Sequence, residues 1–246
     1  MFNFFVDKDN VNETSVIIKD GDYNHLKNVL RMKVGDQVLT STDGVSNLCR
    51  IEKFEPDFAV LEIIEKNYSS GELPVQIYLF QGLPKSDKME LIIQKAVELG
   101  VTAIIPVQMS RSIVKIEEKK KGAKTERWQA IAESAGKQSK RSVIPKVYDV
   151  MSFDKALEFA SETDLFLLPY ENKNGMVDTK NALNKIKKGD KISVLVGPEG
   201  GFSDIEIDKA LSNGANVISL GKRILRTETA SILSVGMLML HAETNL

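Results

Sequence analysis

The stretch ISVLVGPEGGFSDIEI, residues 192–207, restricts the fold more than any other part of this 246-residue chain. Ile192–Val196 is a short, β-branched apolar run, the composition of a strand covered on both faces. It runs into Gly197-Pro198-Glu199-Gly200-Gly201, a tight turn whose one bulky side chain is a carboxylate. Ser203 and Glu206 then stand at capping-box spacing, so a helix restarts at once, and Asn213-Gly214 is its stop. Strand, bare turn and capped helix put accessible backbone at the carboxyl end of a strand, where ligands of open α/β sheets bind. A tight turn in any α/β protein would read the same way, so the discriminating signal lies elsewhere in the chain.

From Val75 onward, strands and helices alternate, which predicts a largely parallel sheet. The strands are expected at Val75–Phe80, Val101–Pro106, Asp164–Leu168, Ile192–Val196 and Asn216–Leu220. Ser86 or Asp87 can cap a helix whose stripe is Ile92, Ile93, Ala96 and Leu99, with Gly100 at its stop. Thr125–Lys137 reads as a helix carrying the sole tryptophan, Trp128. The last helix, Thr229–Ala242, is apolar nearly all round, so either the core encloses it or a second subunit covers it. The second-subunit reading is preferred.

Residues 1–70 have a different rhythm. Gln37–Thr42, Leu48–Phe54 and Phe58–Glu65 are short strand-like runs parted by turn residues, after one helix over His25–Lys33 that faces inward through Leu26, Val29 and Leu30. A small barrel is expected here. The linker is placed at Tyr68–Pro74, which gives domains of 1–70 and 74–246.

Composition narrows the class. With 42% hydrophobic and 27% charged residues, this is an ordinary globular chain. Cys49 is the sole cysteine, so no disulfide framework and no Cys-rich metal site are expected, which fits a reducing compartment, and no metal-binding residues are assigned. MFNFFVDKDN meets charge too early for a signal peptide, and no apolar run reaches membrane-spanning length. The expectation is a cytoplasmic protein without a membrane partner. The net charge is −1, but unevenly spread. Residues 1–70 hold eight Lys/Arg against twelve Asp/Glu, whereas residues 111–141 hold ten against four. A polyanion would therefore meet a local patch. Lys119-Lys120-Lys121 alone could equally be a solvated loop.

Three strand ends line up in the C-terminal half: Leu167–Glu171, Val196–Gly201 and Leu220–Thr229. The glycine spacing fits neither the Rossmann fingerprint nor a P-loop, since Gly197, Gly200 and Gly201 are wrongly spaced and no Lys-Ser/Thr follows. Glu199 would repel phosphate and suit a ligand of positive character.

The pairing of LVGPEGGFS with SLGKRILRTETASI resembles the SPOUT class of S-adenosylmethionine-dependent RNA methyltransferases, and within it the RsmE family. HLKNVLRMKVGD, KMELIIQKAVELGV and the RW and QSKRSVIPKV elements around residues 127–147 extend the resemblance over essentially the whole chain, in the family's order. The resemblance implies an α/β protein, with an N-terminal PUA-like small β-barrel followed by a trefoil-knotted SPOUT methyltransferase domain. It further implies a homodimer, S-adenosylmethionine as cofactor, and methylation of ring N3 of a uridine in 16S ribosomal RNA. Another SPOUT activity, such as ribose 2′-O-methylation, and a non-catalytic RNA-binding module are the alternatives. The substrate is expected to be the small ribosomal subunit or its late precursor rather than free rRNA.

Matched position by position, the resemblance implies that Leu168, Pro169, Gly197, Glu199, Gly200, Leu220, Gly221, Ile224, Leu225, Thr229 and Ala230 bind the cofactor. Gly197 and Gly200 would admit it close to the backbone. For Thr229 and Ala230, helix-start packing is the competing role. Arg226 is the cation expected to meet charge developing on a uridine carbonyl, with a salt bridge to Glu199 or Glu228 as its alternative role. Glu199 or Glu228 would accept the proton, and cofactor orientation is an equal role for Glu199. RNA contacts are expected from His25, Lys27, Arg31, Arg111, Lys137, Lys140 and Arg141, although His25 could instead cap or pack. Family members often carry a basic residue where this chain has Asn3.

Overall fold

The computed structural model describes residues 1–68, 71–170 and 175–246, so Ser69 and Ser70 of the expected linker and Glu171 lie outside the described residues. Two compact units emerge: Met1–Glu72 with Gly136–Ile144, and Leu73–Ala135 with Pro145–Leu246.

The first unit is a five-stranded sheet made from β1 (Asn3–Phe5), β2 (Ser15–Lys19), β3 (Gln37–Thr42), β4 (Val45–Phe54) and β5 (Phe58–Glu65), ordered β1-β3-β4-β5-β2. Strand β4 begins at Val45, ahead of the expected Leu48, because Asp43 and Gly44 both take positive φ (49° and 83°). That geometry closes a two-residue hairpin whose twist matches its strands. Register shifts in β4 at Leu48/Cys49 and Ile51/Lys53 are bulges that bend the sheet. Phe4, Val16, Ile18, Leu26, Val38, Cys49, Ile51 and Leu61 fill its core. The helix expected over His25–Lys33 is displaced. A short helix α1 (Asp20–Asn24) passes into a wide π turn over His25–Val29, closed by the Leu30 amide donating to the His25 carbonyl at 2.9 Å. The wider turn keeps Leu26 buried but leaves Val29 61% exposed.

The second unit is built from β6 (Gln76–Gly82), α2 (Lys88–Glu98), β7 (Ala103–Gln108), α3 (Glu118–Gln138) as far as Ala135, β8 (Lys146–Val147), β9 (Met151–Ser152), α4 (Phe153–Ser161), β10 (Leu165–Pro169), α5 (Met176–Leu183), β11 (Lys191–Val196), α6 (Asp204–Ser212), β12 (Asn216–Ile218) and α7 (Thr227–Asn245). Its seven strands are parallel, in the order β12-β10-β11-β6-β7-β8 with β9 also on β7. Neighbouring residues point to opposite cores. Leu79, Ile104, Leu167 and Val194 pack with α2, α3, α5 and α7, while Phe80, Ile105, Leu168 and Leu195 pack with α4 and α6. Strands covered on both faces explain the continuous apolar runs in the sequence. Each fully buried Leu or Ile contributes about 1.5–3 kcal/mol. Lys119–Lys121 sit in the first turn of α3, paired with Glu117 and Glu118, and not in a loop.

Helix α7 starts at Thr227, two residues before the expected start. Ser231, Ser234, Val235, Leu238 and Ala242 are buried, and the helix packs on α2, β6 and β11. Thr229, Leu233 and Leu240 lie on the opposite side and are exposed. Among the described residues, no helix is long and apolar enough to cross a membrane.

Candidate active site

The turn after β11 is shaped by the protein around it. A Cβ on Gly200 would stand 2.9 Å from the Arg111 Cβ and carbonyl oxygen, and Arg111 Nη1 donates to the Gly200 carbonyl at 3.3 Å. A Cβ on Gly197 would meet the Phe202 ring at 3.2 Å. Gly82, at the end of β6, is tighter still, with Pro198 Cδ at 2.6 Å and Met109 Sδ at 2.7 Å from its hypothetical Cβ. The bareness of Gly200 therefore serves packing against the loop after β7. That loop is fixed a second time, because Ser110 donates from its amide and its hydroxyl to Glu206, both at 2.9 Å. Glu206 also completes the capping box with Ser203. Burial pushes its carboxyl pKa up, but the Ser203 and Ser110 donors outweigh burial and hold it below the ordinary value.

A buried polar cluster joins α7 to this turn. Thr227 Oγ1 donates to the Gly197 carbonyl at 2.6 Å and accepts from Gln81 Nε2 at 3.0 Å. Ser231 Oγ donates to Gln81 Oε1 and, at 2.9 Å, to the Thr227 carbonyl. Nothing in the sequence singled out Gln81, Thr227 or Ser231.

At the carboxyl ends of β10, β11 and β12 lies a cavity of about 770 Å³. Of the expected cofactor residues, Pro169, Gly197, Glu199, Leu220, Gly221, Ile224, Leu225 and Ala230 line it, together with Arg226. Leu168 is fully buried beneath it in β10. Gly200 faces Arg111, and Thr229 points out from the exposed side of α7, so these three are not on its wall. Its walls suit a nucleoside carrying a cationic tail. Ile224 is 95% exposed beside Leu225 and Leu220, an apolar surface that a flat base would cover. The Gly197–Gly201 turn and the Glu199 carboxylate offer polar partners.

The carboxylates are paired differently from the sequence expectation. Lys88 Nζ lies 2.9 Å from Glu199 Oε1 and 3.4 Å from Glu228 Oε2. Glu199 also accepts from the Lys85 amide through both oxygens, at 3.1 and 3.3 Å. Burial raises the Glu199 pKa, but Lys88 and the backbone donors outweigh it and hold it below the ordinary value. The two carboxylates raise the pKa of Lys88, Glu199 most of all. Glu228 does not line the cavity, and its buried Oε2 accepts no hydrogen bond among the described residues. Arg226, as N-cap of α7, is exposed and has no ion pair among the described residues. Lys88 fills the salt-bridging role considered for it.

The expected RNA contacts separate by environment. His25, Arg31 and Lys140 are exposed in the first unit, Arg31 and Lys140 with positive φ (54° and 58°). His25 also meets the Phe4 ring edge-on at 6.2 Å. Lys27 Nζ donates to the Tyr23 hydroxyl at 2.6 Å and lies over the Tyr23 and Phe54 rings. Lys137 pairs with Asp22 at 2.9 Å. Arg111 is exposed beside the Gly200 turn.

Arg141 is corrected. Its side chain is 4% exposed and engages Glu72 at 2.5 Å from Nη2 and 3.0 Å from Nε. Burial, the largest influence on Glu72, raises its pKa, yet Arg141 and the Ser142 and Val143 amides bring it below the ordinary value. A guanidinium committed in this way has no face left for phosphate. Asn3 belongs to the same cluster, donating to the Arg141 carbonyl at 2.8 Å and accepting from Ser41 Oγ at 3.0 Å.

Comparison with known proteins agrees with this architecture. A family profile described as an RNA methyltransferase domain matches residues 71–239, and an RNA methyltransferase PUA domain matches residues 18–64. The chain is 38% identical over 226 residues to ribosomal RNA small subunit methyltransferase E of Bacillus subtilis, covering 90% of this chain and 88% of the other. It is 32% identical to the protein of that name from Mesomycoplasma hyopneumoniae, covering 94% and 96%. The crystal structure of a ribosomal RNA small subunit methyltransferase E from Neisseria gonorrhoeae bound to S-adenosylmethionine superposes with a TM-score of 0.81 at 32% identity, over 98% of this chain and 97% of that one. The Legionella pneumophila putative methyltransferase Lpg2936, also with S-adenosylmethionine bound, gives a TM-score of 0.80 at 28% identity, over 97% of both chains. With a PUA-type first unit, an α/β second unit and a cavity suited to S-adenosylmethionine, the chain belongs to the ribosomal RNA small subunit methyltransferase E family.

Proposed function

We propose that this protein transfers the methyl group of S-adenosylmethionine to ring N3 of a uridine in 16S ribosomal RNA. The observation that carries this reading is the cavity at the ends of β10, β11 and β12, in a chain similar over its length to S-adenosylmethionine-bound relatives. The cofactor supplies an activated methyl group. Leu220, Ile224 and Leu225 would wall its base, Pro169 and Ala230 would close the sides, and the Gly197–Gly201 turn would give it backbone partners.

The protein's own residues must then handle a nucleophile that holds its proton at neutral pH. Arg226, exposed on the cavity wall and free of carboxylate partners among the described residues, meets the charge that grows on a uridine carbonyl oxygen. Glu199 is the carboxylate on the wall and receives the N3 proton directly or through water, with cofactor orientation as its other role. Glu228 acts behind Lys88. Holding base and methyl donor in line is worth about 7–11 kcal/mol in favourable cases.

His25, Arg31, Lys140 and Arg111 position the RNA through its phosphates, which fixes register without reading sequence. The net charge of −1 favours an assembled small subunit or late precursor over free rRNA. A homodimer is supported by the exposed Leu233 and Leu240 on α7 and Leu91 on α2, helices that pack together. A trefoil knot is the topology proposed for a chain whose last strand lies at the sheet edge while its last helix returns to β6 and β11.

The test is methyl transfer from labelled S-adenosylmethionine to small subunits lacking the mark, followed by nucleoside analysis. Labelled 3-methyluridine is expected, and a 2′-O-methylated nucleoside would replace this reading. Equal activity on protein-free 16S rRNA would overturn the assembled-substrate part alone.

A further inference from the structure

Lys88 stands at the first position of α2, far in sequence from both carboxylates it touches, and it lines the cavity. We infer that Lys88 is the positioning residue of the active site, holding the Glu199 carboxylate on the cavity wall while Glu228, from the first turn of α7, anchors the Lys88 ammonium from behind. The inference rests on the reading of Glu199 as a working carboxylate.

Three features of the geometry carry it. The Glu199 side chain is 24% exposed, and Gly197, Gly200 and Gly201, its neighbours in the turn, offer no side chain to hold it. Its direction is therefore set by its hydrogen bonds, from the Lys85 amide and from Lys88 Nζ. Lys88 is in turn fixed from two sides, since an ammonium between two carboxylates cannot swing toward solvent without losing both. Finally, the buried Glu228 Oε2 has Lys88 as its ion-pair partner and accepts no hydrogen bond among the described residues, so the lysine accounts for its place. The turn after β11, the start of α2 and the start of α7 are thus tied together by one cation.

The charged residues in contact with Glu199 or around its cavity include Lys88 and, through its amide, Lys85 from the β6–α2 segment. Glu228 and Arg226 come from α7 and its N-cap, Lys222 and Arg223 from the 221–226 loop, and Arg111 lies at the Gly200 carbonyl. Lys88 is the one shown in contact with the Glu199 carboxylate through its side chain. Removing it leaves Glu199 partly buried without its cation, so the carboxylate should take up a proton at higher pH.

The experiment compares the unaltered protein with Lys88→Met and Lys88→Arg. The Glu199 carboxyl is titrated by carbon NMR in the protein alone, and S-adenosylmethionine binding is followed by calorimetry across the same pH range. Lys88→Met should move the Glu199 titration upward and bring an acid-side loss of cofactor affinity closer to neutral pH. Lys88→Arg should return both toward the unaltered curves. A Glu199 titration unchanged in Lys88→Met would overturn the inference. So would an affinity loss that is equal at every pH and not restored by arginine, which marks a merely structural role. Because the titration uses no RNA, a failure of the rRNA reading would leave this result standing, and the reverse holds as well.

Discussion

Thr227 Oγ1 donates a 2.6 Å hydrogen bond to the carbonyl of Gly197, joining the first residue of the last helix to the first residue of the turn after β11. The bond is buried, and Gln81 supplies the second partner of the hydroxyl. Helix α7 is thus tied to the ends of β6 and β11, and the loop that precedes it, Ser219–Arg226, lines the cavity.

Thr227→Val keeps the shape and removes the hydroxyl, leaving the Gly197 carbonyl and a Gln81 amide hydrogen unsatisfied. The expected loss is about 1–3 kcal/mol of unfolding free energy in denaturant titration. Weaker cofactor binding should accompany it, because the turn is no longer held.

Gly82→Ala tests the packing behind the turn. The added methyl would overlap Pro198 and Met109, contacts that backbone and a packed thioether relieve only by moving the turn. Overpacking of this kind costs about 1–3 kcal/mol. Calorimetry should show S-adenosylmethionine affinity reduced even though Gly82 does not line the cavity.

Much of the fold was legible because its determinants are local. The Ser203–Glu206 capping box spans four residues and formed as the spacing suggests, and β3 and β5 take the bounds read from strand-like runs parted by turn residues. The site was legible only in outline. Glu199 was visible as a carboxylate in a bare turn, but Lys88, 111 residues earlier, looks like any helix-start lysine until the fold brings them together. Gln81 and Ser231, 150 residues apart, are equally silent. Arg141 misled for a physical reason: in a basic stretch an arginine reads as surface charge, and its partner Glu72 sits in what looked like a linker. The π turn at His25–Val29 has no sequence signature of its own.

Arg141 and Lys140 are neighbours that should behave in opposite ways. Arg141→Met takes the guanidinium from the partly buried Glu72 carboxylate, and should cost about 3–5 kcal/mol of stability. A second change, Glu72→Gln, should recover part of that loss. Lys140→Ala should leave unfolding unchanged. It should weaken binding to the small subunit and lower the slope of log affinity against log salt by about 0.7–0.9 if one phosphate contact is lost.

Acidification should destabilise the protein in a defined direction. Glu72, Glu199 and Glu206 all have folded-state pKa values below the ordinary carboxylate value. Each therefore contributes stability that is complete above the unfolded carboxylate pKa and is lost as pH falls through the depressed folded value. Thermal melting should be flat from neutral pH down to about 5, then fall steadily with further acid. A maximum in stability on the acid side of that range would contradict the three assignments.

Arg226→Ala removes the cation assigned to the developing carbonyl charge. Single donors of this kind are worth about 10²–10³ in turnover, with little change in cofactor affinity. Single-turnover methylation of small subunits, set beside calorimetry, separates the two effects.

The most direct test of the central claim is a crystal structure of the protein with S-adenosylmethionine bound. The account predicts cofactor density inside the 770 Å³ cavity. Its base should lie against Leu220, Ile224 and Leu225, its polar atoms on the Gly197–Gly201 turn, and its methyl group should be open to the side where Arg226 stands. Density elsewhere, or a cofactor that leaves that turn untouched, would contradict it.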